Sequence, residues 1–230
     1  MTLRAIPDML DSVKAKFRSG LASMIQGKEI AAVILAGGRA SRMNYQDKAL
    51  LRLHDKPLIE HVIDKARHQV GQMLISVNRN LPLYEYLDIP LITDSSKQFG
   101  GPLVGIYSAM QWLQNSRESS GINYLACFAA DVPYFPEDIV AQLARPLLEA
   151  GAQFACCRCD NQIQPLLALW SMDSIAIVKQ ALDDGLFGPK LLLPKLEHII
   201  VDIPQASAEN FLNINSPESL KWAESIVPRN

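Results

Sequence analysis

The chain has 230 residues, 49% of them hydrophobic and 20% charged, with a formal net charge of −2. That is the composition of an ordinary globular protein, long enough to bury a core without disulfides or structural metals. The near-neutral balance argues against nucleic acid or an anionic membrane as a partner held by bulk charge, and no apolar run approaches the roughly 18 residues of a transmembrane helix.

Residues 1–29 stand apart as an N-terminal helical extension. Ile6, Met9, Leu10, Val13, Phe17, Leu21 and Met24 or Ile25 recur at helical spacing, and Gly27 is a suitable stop. Arg4, Lys14, Lys16 and Arg18 allow a membrane-surface helix. Packing on the main domain or on a partner is the preferred reading. The segment lacks the uninterrupted apolar stretch and cleavage site of a signal peptide, so a cytoplasmic location is expected.

From residue 30 to 230 the pattern is that of one domain in which strands and helices alternate. "AAVILA" is a short continuous apolar run, as in a strand covered on both faces. "KPLIEHVIDKARHQV" reads as an amphipathic helix with Leu58, Val62, Ile63 and Ala66 on one side. "QMLISVN" and "IPLITD" follow as strands, and "GPLVGIYSAMQWLQNS" as a helix entered through Gly101 and Pro102. "INYLACFAAD" is another strand ending in aspartate, followed by the helix "FPEDIVAQLARPLLEAG". The alternation predicts a Rossmann-like, doubly wound α/β fold with a mostly parallel sheet.

Later the pattern changes. "AQFACCRCDNQIQPLLALWS" predicts an antiparallel hairpin inserted around "CDNQ". A helix closed by Gly185, the strand "HIIVDIP" and a last helix with Ser216 as N-cap complete the chain. Cys127, Cys156, Cys157 and Cys159 have no zinc spacing, and neighbouring cysteines on a strand face opposite ways, so all four read as structural. His61 and His68 read as a solvated helix face, and no histidine sits in a catalytic setting.

Ligands of an open parallel sheet collect at the carboxyl ends of its strands. Three polar signals fall there: the Gly37–Gly38 turn with Arg39, Arg42 and Lys48 after it, Asp94 in "LITDSSKQFGGP", and Asp131 in "CFAADVPYF". Each has an ordinary alternative, as a tight turn, a loop cap or a solvated charge. Together they place a basic loop and two carboxylates on one rim, the pattern of a nucleotide and a divalent cation. The glycines fit neither G-x-G-x-x-G nor G-x-x-x-x-G-K-[ST], which sets aside dinucleotide oxidoreductases and P-loop enzymes.

"LAGGRASRMNYQDKALLRLHDKPLIEHV" resembles the signature loop of the LAGG-type nucleotidyltransferases. With "SVNRN", "ITDSSKQFGGPLVGIYSAM", "CFAADVPYFP" and "NFLNINSPESL" in the same order, residues 30–225 are similar to the molybdenum cofactor guanylyltransferases. The resemblance implies transfer of GMP from GTP to molybdenum-molybdopterin, releasing pyrophosphate and giving the guanine dinucleotide. The implied partners are GTP, molybdopterin-bound molybdenum as substrate, and a molybdoenzyme or its chaperone.

Carried over, Leu35, Ala36, Gly37 and Gly38 pass backbone N–H groups under the nucleotide. Arg42 and Lys48 hold the triphosphate, Asp94 helps hold the nucleotide, and Asp131 binds Mg²⁺, the one cofactor implied. Asn213 and Asn215 lie on the side that receives the pterin. No general base is required, because the attacking phosphate is ionised near neutral pH. The loop departs from the family at Asn44, where glycine is usual, and at Tyr45. Ser76 stands where asparagine tends to lie near the base, and Asn78, on the same strand face, is expected to share that task. A CTP-dependent cytidylyltransferase and a non-catalytic nucleotide sensor or cofactor-insertion chaperone are the alternatives.

Overall fold

The computed structural model describes residues 25–37, 47–95, 100–203 and 210–226. The sequence readings at 1–24 and 38–46, among them the N-terminal helix, Gly38, Arg42, Asn44 and Tyr45, lie outside the described residues. A 3₁₀ turn at Gly27–Glu29 leads into β1 (Ile30–Leu35). Then come β2 (Arg52–Leu53), β3 (Lys56–Pro57), α1 (Leu58–Arg67), β4 (Gln72–Ser76), β5 (Leu91–Ile92), α2 (Pro102–Asn115) and β6 (Tyr124–Ala129). The chain continues through α3 (Ile139–Ala150), β7 (Phe154–Cys159), β8 (Gln162–Ser171), α4 (Ile175–Asp183), α5 (Pro189–Leu192), β9 (His198–Asp202) and α6 (Pro217–Ile226).

Seven strands form one sheet in the order β5-β4-β1-β6-β8-β7-β9. β1 pairs in parallel with β4 and β6, β4 with β5, and β7 with β9. β8 runs antiparallel to both β6 and β7. The fold is thus the α/β, mostly parallel arrangement that the alternation predicts. One difference is instructive: the hairpin is not appended to the sheet but forms part of it. The turn at Asp160 and Asn161, with φ of 46° and 61°, has both residues in the left-handed region, as a two-residue hairpin turn that matches the strands' right-handed twist requires. Its partner strand β8 is long enough to lie against β6 as well.

β1 is buried on both faces because its side chains alternate between two cores. Ala32 and Ile34 meet α1 through Ile59, Val62 and Ile63, whereas Ala31 and Val33 meet α2 through Leu103 and Val104. Cys156 and Cys157 divide in the same way, and all four cysteines are buried and outside any disulfide. The predicted apolar side of α1, Leu58, Val62, Ile63 and Ala66, is fully inside. His61 corrects the solvated-face reading: its Nε2 lies 3.0 Å from the Leu53 carbonyl, its ring is tilted against Tyr134, and burial lowers its pKa. The short β2–β3 hairpin that creates this contact was not expected, since His54 and Asp55 at its turn carry no glycine signal.

Two glycines fix where α2 sits. Gly105 lies so close to the sheet that a Cβ there would stand 2.7 Å from Ser76 Oγ and 2.9 Å from a Leu35 methyl. Gly101, with φ of 148°, turns the chain into α2 beside Phe187, whose carbonyl accepts a hydrogen bond from Leu103 N. At each position a side chain would push the helix off the strands that carry the rim.

Candidate nucleotide site

The sheet order reverses direction between β1 and β6: from β1 the chain first builds outward through β4 and β5, then returns to place β6 on the other side. At such a switch point the loops leaving two neighbouring strands diverge and open a crevice. Leu35–Gly37 leaves one side of it and Asp131 the other. The mouth is rigidly framed, because Ala36 N donates to Ser76 O at 2.9 Å and Ala130 N to Leu35 O at 3.1 Å. A Cβ on Gly37 would lie 3.4 Å from the Asn78 amide nitrogen, so glycine lets the loop pass close under that side chain.

Lys48 reaches the crevice from a 3₁₀ turn, Lys48–Leu50, that follows Asp47. Tyr84, fully buried, stands behind this turn, and burial with the nearby Asp47 carboxylate pushes its phenol pKa well up. Lys48 Nζ donates to Asn215 Oδ1 at 2.6 Å. Asp131 is half-buried, and burial raises its carboxyl pKa, an effect the Lys48 charge partly offsets. Its carbonyl accepts from Ile214 N at 2.8 Å. A lysine, an aspartate and the "NINSPE" loop thus converge on one place.

That loop is itself well anchored. Phe211 is buried with a φ of 65°, unusual for an aromatic residue, and its N–H donates to Tyr134 O at 2.7 Å. Such strain persists where surrounding contacts enforce it. Ser216 caps α6 as expected, its Oγ accepting from Ser219 N at 3.2 Å. Asn215 N and Ser216 N both donate to Ser219 Oγ at 3.0 Å. Asn215 is held inward by these bonds, while Asn213 is exposed.

On the β4–β5 side, Asp94 N donates to Asn78 Oδ1 at 2.8 Å, and Ser95 N to Ser108 Oγ at 2.9 Å. Burial raises the Asp94 pKa and the bond from Asn78 works against it. Ser76 and Asn78 do not share surroundings. Ser76 is 2% exposed and its hydroxyl faces Gly105 of α2, whereas Asn78 is exposed beside Gly37 on the rim. The structure brings together Leu35, Ala36, Gly37, Lys48, Asn78, Asp131 and Asn215, and turns Ser76 toward the helix. Asp47, Tyr84, Tyr134 and Phe211 are supporting residues that the sequence reading passed over. The two aromatics flanking "NINSPE" and "DVPY" were the available signal.

Among the described residues no three His, Cys, Asp or Glu side chains cluster to form a self-sufficient metal cage. The donor set instead suits a cation that keeps most of its waters and takes one or two carboxylates plus phosphate oxygens. Asp131 fits that role: it is a partly desolvated carboxylate at the crevice, whose charged form a cation would favour.

A switch-point crevice with a glycine turn on one strand and Lys48 and Asp131 beside it is where an α/β protein of this topology binds its ligand, as the nucleotidyltransferase class does. The chain belongs to the MobA-like NTP transferase domain family, which it matches over residues 32–199. It is 32% identical over 207 residues to the molybdenum cofactor guanylyltransferase of Cupriavidus metallidurans, covering 88% of this chain and 98% of that one. It is 34% identical over 189 residues to the enzyme of the same name from Shewanella piezotolerans, covering 82% and 89%. Its fold resembles the crystal structure of molybdopterin-guanine dinucleotide biosynthesis protein A from Archaeoglobus fulgidus, with a TM-score of 0.68 at 23% identity, covering 85% and 97%. Among the described residues no helix is long and apolar enough to cross a membrane.

Proposed function

We propose that this protein transfers GMP from GTP to the terminal phosphate of molybdopterin-bound molybdenum. An oxygen of that phosphate attacks the α-phosphorus of GTP, the bond from the α-phosphorus to the bridging oxygen breaks, and pyrophosphate leaves. The product is molybdopterin guanine dinucleotide, destined for a molybdoenzyme or its chaperone. A reaction that consumes GTP is expected in the cytoplasm.

The observation that carries this reading is the meeting of Lys48 with the Asn215 side chain, and of Asp131 with the Ile214 N–H, at the switch point. Joining two anions requires their repulsion to be cancelled and the attacking oxygen to be held in line. The Leu35–Gly37 backbone supports the nucleotide. Lys48, joined by Arg42, neutralises charge that grows on the departing pyrophosphate. Asn215, bonded to Lys48, connects the triphosphate side to the side where Asn213 faces the pterin. Asp131 would hold Mg²⁺, which would screen the phosphates and polarise the α-phosphoryl group, while Asp94 on the opposite flank would help hold the nucleotide.

The test is a thermal-unfolding comparison of GTP, CTP, ATP and UTP with and without Mg²⁺, followed by product analysis with molybdenum-molybdopterin. A ligand at about 100 times its Kd stabilises by about 2.7 kcal/mol. A shift with GTP that Mg²⁺ enlarges, and formation of the guanine dinucleotide, are expected. Preference for CTP would move the protein to a cytidylyltransferase, and binding without product would make it a sensor or chaperone.

A further inference from the structure

The two edges of the sheet are finished differently. β5 has two residues and follows Pro90, and so short an edge strand beside a proline offers another chain little to pair with. β9 has five residues, and among the described residues it pairs with β7 alone. Residues 196–203 hold no proline, glycine or lysine that would blunt this edge.

The hydrogen bonds identify the open backbone groups. Ile203 N donates to Arg158 O at 3.0 Å, and Glu197 O accepts from Gln153 N at 2.7 Å. In this parallel register the odd-numbered residues of β9 therefore face β7. The N–H and C=O groups of His198, Ile200 and Asp202 point away from the sheet. Side chains alternate as well: Ile199 and Val201 pack on the core beneath α3, and Ile200 on the opposite core. His198 and Asp202 share the face of Ile200 and are exposed.

We propose that β9 pairs antiparallel with β9 of a second copy, about a twofold axis at Ile200, joining two seven-stranded sheets into one. The stretch "HIIVD" is complementary to itself in that register. Ile200 meets Ile200, and His198 of each chain stands opposite Asp202 of the other. The three open residues are the ones that a ladder with this centre uses as hydrogen-bonded pairs, each pair exchanging two bonds. Asp202 is already gripped by Arg158 through two bonds, at 2.6 and 2.7 Å. Arg158, Asp202 and the second copy's His198 then form a row of basic, acidic and basic side chains across three strands. A parallel approach in register would set Asp202 beside Asp202 and forfeit that match. Pairing with a sheet edge is a recurring mode of association, and the charge match selects this chain as its own partner.

The test is sedimentation velocity of the full chain over a wide range of concentration. Concentration-dependent dimers are expected, and a chain that stays monomeric throughout overturns the proposal. His198→Asp sets carboxylates opposite each other at both ends of the ladder and is expected to weaken the dimer about tenfold or more, whereas His198→Lys keeps or strengthens it. Equal affinities for the two variants would contradict the pairing. Register is read by a cysteine at the axis, with copper–phenanthroline as oxidant. Cα atoms of a hydrogen-bonded antiparallel pair lie about 5.5 Å apart, within reach of a disulfide, so Ile200→Cys is expected to cross-link two chains. Ile199→Cys, opposite Val201 of the second copy, is expected not to. The four native cysteines are buried and do not compete. Cross-linking through Ile199→Cys, or through neither variant, overturns the register.

Discussion

Lys48 and Asn215, 167 positions apart in the chain, share a 2.6 Å hydrogen bond across the mouth of the crevice. A bond to a charged group is worth more than a neutral one, about 1.5–3 kcal/mol, so Asn215 fixes where the ammonium points. Asn215→Ala is expected to lower kcat/KM about 10–100-fold, with a smaller effect on GTP binding than Lys48→Ala has. Asn215→Asp adds a carboxylate that retains the lysine as an ion pair, and should raise the KM for GTP. Steady-state kinetics of the three variants check the order; equal losses in all three would mean the bond has no directing role.

Asp131 carries a carboxyl pKa raised by burial. A group whose folded pKa lies above its unfolded value stabilises the fold most below the unfolded pKa, and that contribution is lost as pH rises through the folded value. The unliganded Asp131→Asn variant is therefore expected to have a Tm at neutral pH equal to or above that of the parent. The advantage should shrink as pH falls toward about 4, the ordinary aspartate range. Transfer should drop by about 10²-fold or more. In the parent, Mg²⁺-dependent nucleotide binding should weaken as pH falls through the raised pKa. Thermal scans and titrations from pH 4 to 8 test both statements.

Gly105 admits no side chain without displacing Ser76 or Leu35. Gly105→Ala is expected to cost about 1–3 kcal/mol, as overpacked positions do, and to lower Tm by about 2–4 °C for each kcal/mol. Removing the Ser76 hydroxyl in the double variant Gly105→Ala/Ser76→Ala should recover part of that loss. Ser76→Ala alone should leave the preference among nucleotides unchanged, because the hydroxyl faces the helix. A switch in base preference would restore Ser76 to the base pocket.

All four thiols are buried, and burial pushes Cys156 and Cys157 up to about 12 and Cys127 further. Thiolate, not thiol, attacks disulfide reagents. A water-soluble disulfide reagent should find no reactive cysteine in the native protein and four once it is unfolded in denaturant. Rapid labelling under native conditions would show that the β7 region opens locally.

The sheet, its helices and the rim were legible because each left a periodic or positional mark. "AAVILA" is apolar on both faces, α1 keeps four residues on one side, and two strands end in aspartate. What escaped was long-range. Nothing in "CDNQ" says that β8 will also lie along β6, because that pairing depends on length and sheet edge and not on the turn. His61 looked solvated because its cover, the β2–β3 hairpin, has no glycine at its turn. Ser76 and Asn78 share a strand parity, yet the strand ends at Ser76 and the two separate. The support given by Tyr84 and Phe211 comes from burial and a positive φ, neither of which a residue type discloses.

The "NINSPE" loop that holds Lys48 and Asp131 comes after β9, the last strand of the sheet. A ribosome therefore finishes every described strand before it makes the residues proposed to align the reacting groups. A product cut short near residue 203 would possess the whole sheet, and its Leu35–Gly37 turn would sit in the usual frame. On the proposed mechanism it is expected to be inert, with its lysine unguided and the Asp131 carbonyl unbonded by Ile214. If the proposed roles of Lys48 and Asn215 hold, activity reports a chain read nearly to its last helix, and a product lacking that loop is expected to form no dinucleotide.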